Sequence, residues 1–206
     1  MKQHIWIVLR KEGCRMKQIL FIDCCVRKNS RTRRLAEAVL SRLEGTVTLR
    51  RPYAEELPAV DESVIEKRHD ASLSGDFSDG LFAPAREFAG ADEIVIAAPY
   101  WDMSFPACLK RYIETVSVSG VTFSYTDDGR PRGLCRAGRF YYITTAGGEI
   151  GRFHLGYEYI HAVMENLFGV REGVSICAER MDVIGEDPEQ HLREALRAWE
   201  RSRGAG

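Results

Sequence analysis

The sequence lacks a long apolar run, an excess of either charge, and every compact motif that would mark a nucleotide, a metal or an activated serine. Ile5–Leu9 is an apolar stretch of five residues. That is too short for a secretion signal or a membrane span, and no later stretch approaches the length of a span. Lysine and arginine total 29 against 30 aspartates and glutamates, a formal charge of −1. No global basic field therefore argues for nucleic acid. The six cysteines contain no C-x-x-C pair, which removes the usual zinc spacings. Cys24 and Cys25 are adjacent, and adjacent cysteines bridge each other only under strain. They are expected to be reduced thiols of a cytoplasmic protein, with a redox-active pair as the alternative. There is no G-x-G-x-x-G, no G-x-x-x-x-G-K-[ST], no G-x-S-x-G and no H-E-x-x-H. His154 and His161 lie with Glu158 and Glu165 on one helical stretch and read as a solvated ion-pair face. No metal is expected.

What is present is alternation. A chain of 206 residues, 45% hydrophobic, suits one α/β domain. Gln18–Cys24 reads as a buried strand. Ser30 caps a helix over Arg31–Glu44, with Leu35, Val39 and Leu43 on one face and Gly45 as its stop. Thr46–Arg50 is a second strand, and Asp61–Ser72 and about Gly80–Ala89 are helices. Asp92–Ala98 is a third strand. Pro106 opens a helix carrying Leu109, Tyr112, Ile113 and Val116, ended by Gly120. Val121, Phe123 and Tyr125 alternate with polar residues ahead of Asp127-Asp128-Gly129, which predicts a hairpin-like excursion. Phe140–Thr145 is a strand, Phe153–Phe168 a helix ending at Gly169, and Gly173–Ala178 a fifth strand. Asp187 caps a last helix with Pro188 in its first turn and Leu192, Ala195, Leu196 and Trp199 on its apolar face. Five strands separated by helices predict a parallel sheet covered on both faces. Residues 1–15 are expected to be an extension outside the domain, since Met16-Lys17-Gln18 repeats Met1-Lys2-Gln3 and a strand starts cleanly there. An extra edge strand is the alternative.

In such a sheet ligands bind beyond the carboxyl ends of the strands. Three strand ends carry unusual loops. After the first, Asn29, Ser30 and Thr32 surround a helix N-terminus, where hydroxyls, free N–H groups and the helix dipole suit an anion. Any capped helix looks similar. The basic run Arg27, Lys28, Arg31, Arg33 and Arg34 suits either a phosphate or a solvated helix face. After the third strand comes Pro99-Tyr100-Trp101-Asp102-Met103, two large aromatics in a loop. After the fourth comes Thr145-Ala146-Gly147-Gly148, whose glycines let backbone approach a ligand. The combination suits a flat aromatic ring with one phosphate tail, and an isoalloxazine with a ribityl phosphate fits that description.

Three segments carry a resemblance: the first strand with its Asn29-Ser30-Arg31-Thr32 helix start, the stretch 98–129, and Ile143-Thr144-Thr145-Ala146-Gly147-Gly148-Glu149-Ile150. In the second, Pro99, Pro106, Leu109, Lys110, Tyr112, Gly120–Phe123, Tyr125, Thr126 and Gly129 fit the family pattern. The chain resembles the flavodoxin-like NAD(P)H dehydrogenase (quinone) superfamily, most closely its FMN-dependent NADH:azoreductase branch, over residues 17–203. The resemblance implies a flavodoxin-like three-layer α/β/α domain over residues 16–206, with five parallel strands in the order 2-1-3-4-5. It implies FMN as cofactor and NADH or NADPH as donor, with hydride passing by way of the flavin to a quinone, azo or nitro acceptor in a ping-pong cycle. Cys24, Ser30, Arg31 and Thr32 fall on the phosphate stretch, with Cys24 in place of a hydroxyl. Pro99, Tyr100, Trp101, Asp102 and Met103 fall on the loop along the isoalloxazine, with Asp102 where asparagine is frequent. Thr145, Ala146, Gly147 and Gly148 fall along the pyrimidine edge, followed by Glu149 and Ile150 where a histidine is frequent. A homodimer is implied, in which Phe123 and Tyr125 cover the partner's flavin and Tyr125 shapes the acceptor pocket. The alternatives are a flavodoxin-type electron carrier, which the −1 charge and the 121–135 excursion disfavour, and a non-catalytic flavin-binding protein.

Overall fold

The computed structural model describes residues 15–204. The expected extension, apart from Arg15, lies outside the described residues. The elements follow as β1 (Gln18–Asp23), α1 (Arg31–Leu40), β2 (Thr46–Arg50), α2 (Glu62–Ser74), α3 (Ala83–Gly90) and β3 (Glu93–Ala97). Then come α4 (Ala107–Val116), β4 (Phe123–Tyr125), β5 (Pro131–Gly133), β6 (Arg139–Thr145), α5 (Leu155–Val163), β7 (Glu172–Ala178) and α6 (Pro188–Gly204). The main sheet has five parallel strands in the order β2-β1-β3-β6-β7, which is 2-1-3-4-5 counted over its own strands. β4 and β5 form the separate antiparallel hairpin.

The central strands β1, β3 and β6 are near-continuous apolar runs because both sheet faces are covered there. On one face Leu20, Ile22, Ile94, Ile96, Phe140 and Tyr142 pack under Phe88 of α3, Leu109 and Tyr112 of α4, and Ile160 of α5. On the other, Ile19, Phe21, Val95, Tyr141 and Ile143 pack under Leu35 and Val39 of α1 and Leu192 and Trp199 of α6. Each such side chain contributes on the order of 1.5–3 kcal/mol by leaving water. Among the described residues no helix is long and apolar enough to cross a membrane.

Helix ends differ from expectation for local reasons. α1 stops at Leu40 rather than Glu44, because the N–H groups of Arg42 and Leu43 turn to the carbonyls of Val39 and Leu40, three residues back. Leu43 still reaches the core. The helix expected over Gly80–Ala89 starts as a 3₁₀ turn, Gly80–Phe82, on an Asp79 cap. α4 ends at Val116, and Gly120 instead sits in the following loop at φ 90°. α5 starts at Leu155 and widens into a π turn over Met164–Phe168 before Gly169 reverses the chain at φ 79°.

That π turn seats the hairpin. A Cβ on Gly133 of β5 would lie 2.2 Å from the Phe168 carbonyl carbon and 2.2 Å from the Gly169 nitrogen, both backbone atoms that cannot step aside. The hairpin position is therefore fixed by close backbone contact. Gly133→Ala should cost about 1–3 kcal/mol by overpacking, a drop of several degrees in Tm. Gly138→Ala, where a Cβ meets nothing within 4 Å, should leave the thermal unfolding curve in place; equal curves for the two variants would contradict the contact.

Candidate functional site

The carboxyl ends of β1, β3, β6 and β7 line up on one edge. Asp23 stands beside Ala97, Ala97 beside Ile143 and Ile143 beside Ile176. The ladder runs a step further: Cys24 N donates to Ala97 O (2.8 Å), Ala98 N to Ile143 O (3.0 Å) and Tyr100 N to Thr145 O (3.1 Å). The three loops singled out in the sequence thus leave the sheet side by side.

The first loop is held from behind. Asp23 is fully buried, and its carboxylate accepts from Cys25 N (2.9 Å) and from Arg33 Nε (2.7 Å). The rest of the Arg33 guanidinium donates to the carbonyls of Cys25, Arg27 (2.8 Å) and Lys28 (3.2 Å) and to the Tyr53 hydroxyl (3.2 Å). Ser30 caps α1 as expected, its Oγ accepting from Arg33 N (3.2 Å). The N–H groups of Val26, Arg27, Lys28, Arg31 and Thr32 have no partner among the described residues. Arg31 reaches sideways, donating to Met181 O (2.9 Å) and Asp182 Oδ1 (2.6 Å). Thr32 is buried, and its hydroxyl meets that of Thr145 at 2.7 Å, tying the start of α1 to the end of β6.

The aromatic loop is a two-residue turn. Trp101 N donates to Ser104 O (3.2 Å) and Ser104 N to Trp101 O (2.8 Å), with Asp102 at φ 50° and Met103 at φ 65°. Two successive left-handed residues define a type I′ turn, normally the place of Asn or Gly. Asp tolerates this region, whereas Met stores about 1–2 kcal/mol of strain there. Trp101 and Met103 stay 38% and 45% exposed. Tyr100 is half-buried, its hydroxyl donating to Phe153 O (3.0 Å).

The diglycine loop follows the same rule as the first. The carbonyls of Gly147 and Gly148 are taken by the N–H groups of Asp182 (2.9 Å) and Arg180 (3.1 Å). The N–H groups of Gly147, Gly148 and Glu149 have no partner among the described residues. A Cβ on Gly147 would meet Asp182 Oδ2 at 2.8 Å, whereas one on Gly148 would meet nothing within 4 Å.

The structure brings Ser30, Arg31, Thr32, Pro99–Met103 and Thr145–Gly148 to this edge. Cys24 reaches this edge with its backbone alone: its side chain is fully buried against Cys108 in the core beneath α4. Cys25 turns to the opposite core, so the two neighbours face different sides of the sheet. The Cys24 thiol is raised by its hydrogen bond to Cys108 and by burial, and the same bond lowers the Cys108 thiol. Burial pushes Cys25 up to about 12. Phe123 is likewise buried (8% exposed) and supports Tyr125 edge-on, centroids 5.5 Å apart. The roles of Arg33 and Asp23 escaped the sequence reading. The ion-pair reading is overturned for His154, whose two ring nitrogens are buried against Tyr142 and Tyr157 with no partner among the described residues, whereas His161 does face Glu165 at 3.6 Å. A separate groove of about 390 Å³ beside α4 and α5 holds the Lys110–Glu114 ion pair. It lies away from the strand ends.

The Met103 strain has a measurable consequence. Met103→Val, with a branched Cβ in the left-handed region, should destabilise by more than about 1 kcal/mol. Met103→Gly should be neutral or stabilising by thermal unfolding. A tolerated valine would mean that the turn is not left-handed at this position.

A family model described as a flavodoxin-like fold matches residues 17–202. Among curated proteins, the FMN-dependent NADH:quinone oxidoreductase 2 of Clostridium acetobutylicum is 39% identical over 117 residues, covering 54% of this chain and 58% of that protein. The FMN-dependent NADH:quinone oxidoreductase of Caldicellulosiruptor bescii is 38% identical over 121 residues, covering 56% and 59%. The chain thus spans under three fifths of the length of these relatives. Among solved structures, an azoreductase from Bacillus anthracis superposes with a TM-score of 0.76 at 24% identity, over 89% of this chain and 96% of that one. An FMN-dependent NADH-azoreductase from the same species, in complex with FMN, gives 0.75 at 20% identity over 92% and 99%. The match over nearly all of the described residues agrees with the strand order, and the chain belongs to this flavodoxin-like family.

Proposed function

We propose that this chain is an FMN-dependent NAD(P)H oxidoreductase of the quinone reductase and azoreductase type. One observation carries the proposal. Two loops on one sheet edge have carbonyls tied inward and N–H groups free, with the exposed Trp101 between them and open space beside Gly148. The names of the relatives, quinone oxidoreductases and azoreductases dependent on FMN, support it.

The residues fit the cofactor. The free amides of Val26–Lys28 and of Arg31 and Thr32, with the Ser30 hydroxyl, would hold the phosphate at the positive end of α1. The free amides of Gly147–Glu149 would hold the polar edge of the ring and favour negative charge there. Trp101 and the strained turn would wall the ring, and the space beyond Gly148 would admit it. Bound FMN supplies two-electron hydride transfer from NADH or NADPH to a quinone, azo or nitro acceptor. For that chemistry the chain supplies position and electrostatics rather than a proton-transferring side chain.

The second part of the proposal concerns assembly. Tyr125 is 62% exposed at the hairpin tip, on a firm base of Phe123 and the backbone contact at Gly133. In a two-fold dimer the same patch is used twice, and Tyr125 would then cover the partner's ring and line the acceptor pocket. The protein is expected to be a cytoplasmic homodimer acting on small molecules.

Titration with FMN should produce a protein-bound flavin spectrum, and NADH should bleach it until quinone is added. No binding at micromolar FMN would overturn the proposal. Gly148→Val should fold with the wild-type Tm, since its side chain meets open space, yet lose FMN; wild-type affinity there would exclude ring contact at Gly148. Light scattering should report a dimer, and Tyr125→Ala should change kcat/KM for the acceptor more than for NADH. A fully active monomer would sink the account of the hairpin.

A further inference from the structure

Arg33 sits in a basic run beside a candidate phosphate site, and charge alone would make it a phosphate ligand. Its hydrogen bonds say otherwise. A guanidinium has five N–H donors. In Arg33 Nε donates to Asp23 Oδ2, Nη1 to the carbonyls of Arg27 and Lys28, and Nη2 to the Cys25 carbonyl and the Tyr53 hydroxyl. None is left over. Asp23 is fully buried, and Arg51 Nε approaches it at 3.5 Å, so the carboxylate is neutralised from two sides.

We infer that Arg33 is a positioning residue, anchored on Asp23, which shapes the 25–28 loop into an anion cradle by gathering the loop's carbonyl oxygens. This rests on the FMN reading above. A peptide whose C=O points inward presents the N–H of the next residue on the other side of the chain. Three gathered carbonyls, of Cys25, Arg27 and Lys28, therefore go with the N–H groups of Val26, Lys28 and Asn29, which have no partner among the described residues. Without the fork, those carbonyls would be free to turn outward, and carbonyl oxygens repel a phosphate. The fork geometry matters more than the charge, because a lysine ammonium cannot reach three carbonyls, a hydroxyl and a carboxylate at once.

The test compares FMN with riboflavin, which shares the ring and lacks the phosphate, binding to flavin-free protein followed by fluorescence quenching. The variants are Arg33→Lys, Arg33→Met and the double variant Asp23→Asn with Arg33→Met, which leaves no unpaired buried carboxylate. In each folded variant the FMN Kd should rise at least about tenfold, the scale of one or two charge-assisted hydrogen bonds. The riboflavin Kd should move by less than about threefold. Arg33→Lys should resemble Arg33→Met. A lysine variant that binds FMN like wild type would show that charge alone suffices and overturn the inference. Equal weakening of FMN and riboflavin, in variants with native circular dichroism, would overturn it too. Wild-type protein that binds neither flavin would instead defeat the reading on which the inference rests.

Discussion

The ion pair between Asp23 and Arg33 is the contact on which the carboxyl edge of the sheet depends. A buried carboxylate without a partner is costly, and removing one member of a buried pair typically costs about 3–5 kcal/mol. Asp23 is held in place by the ladder between β1 and β3, and Arg33 by the first turn of α1. Their meeting fixes where α1 begins relative to the sheet, and hence where the helix dipole points. The Thr32–Thr145 contact then carries that alignment across to the end of β6.

The same economy operates twice. At this edge the loop carbonyls take their donors from the protein itself: Arg33 for the first loop, the backbone of Arg180 and Asp182 for the diglycine loop. The N–H groups are left facing outward by default. An anionic or electron-rich ligand, as proposed above, would find donors already oriented, which lowers the ordering cost of binding. The site is built from main chain rather than from cationic side chains. That agrees with a chain whose overall charge is −1.

Much of this was legible in the sequence, and the limits have physical causes. β1, β3 and β6 announced themselves because strands buried on both faces must be apolar throughout. The Ser30 and Asp187 caps were legible because capping is local chemistry. The end of α1 was not, since Leu43 keeps the apolar spacing while the backbone has already tightened into a turn. The facing of Cys24 was also hidden. One residue of register exchanges the two faces of a strand, and here Cys24 falls to the α4 side and Cys25 to the α1 side. Nor does an arginine in a basic run reveal whether it meets a phosphate or its own loop's carbonyls. That distinction lies in the path of the main chain, which composition does not record.

The turn at Trp101–Ser104 also sets how this protein can change. Its two hydrogen bonds close around two residues only, both left-handed. One inserted or deleted residue would break both bonds and turn Trp101 to another side. Variation at this wall of the site is therefore open to substitution and closed to changes in loop length. Under the proposed function, new acceptor preferences would arise by exchanging side chains at Trp101, Asp102 and Met103 on an unchanged frame, while the hairpin tip around Asp127 and Asp128, exposed and outside the main sheet, remains free to grow.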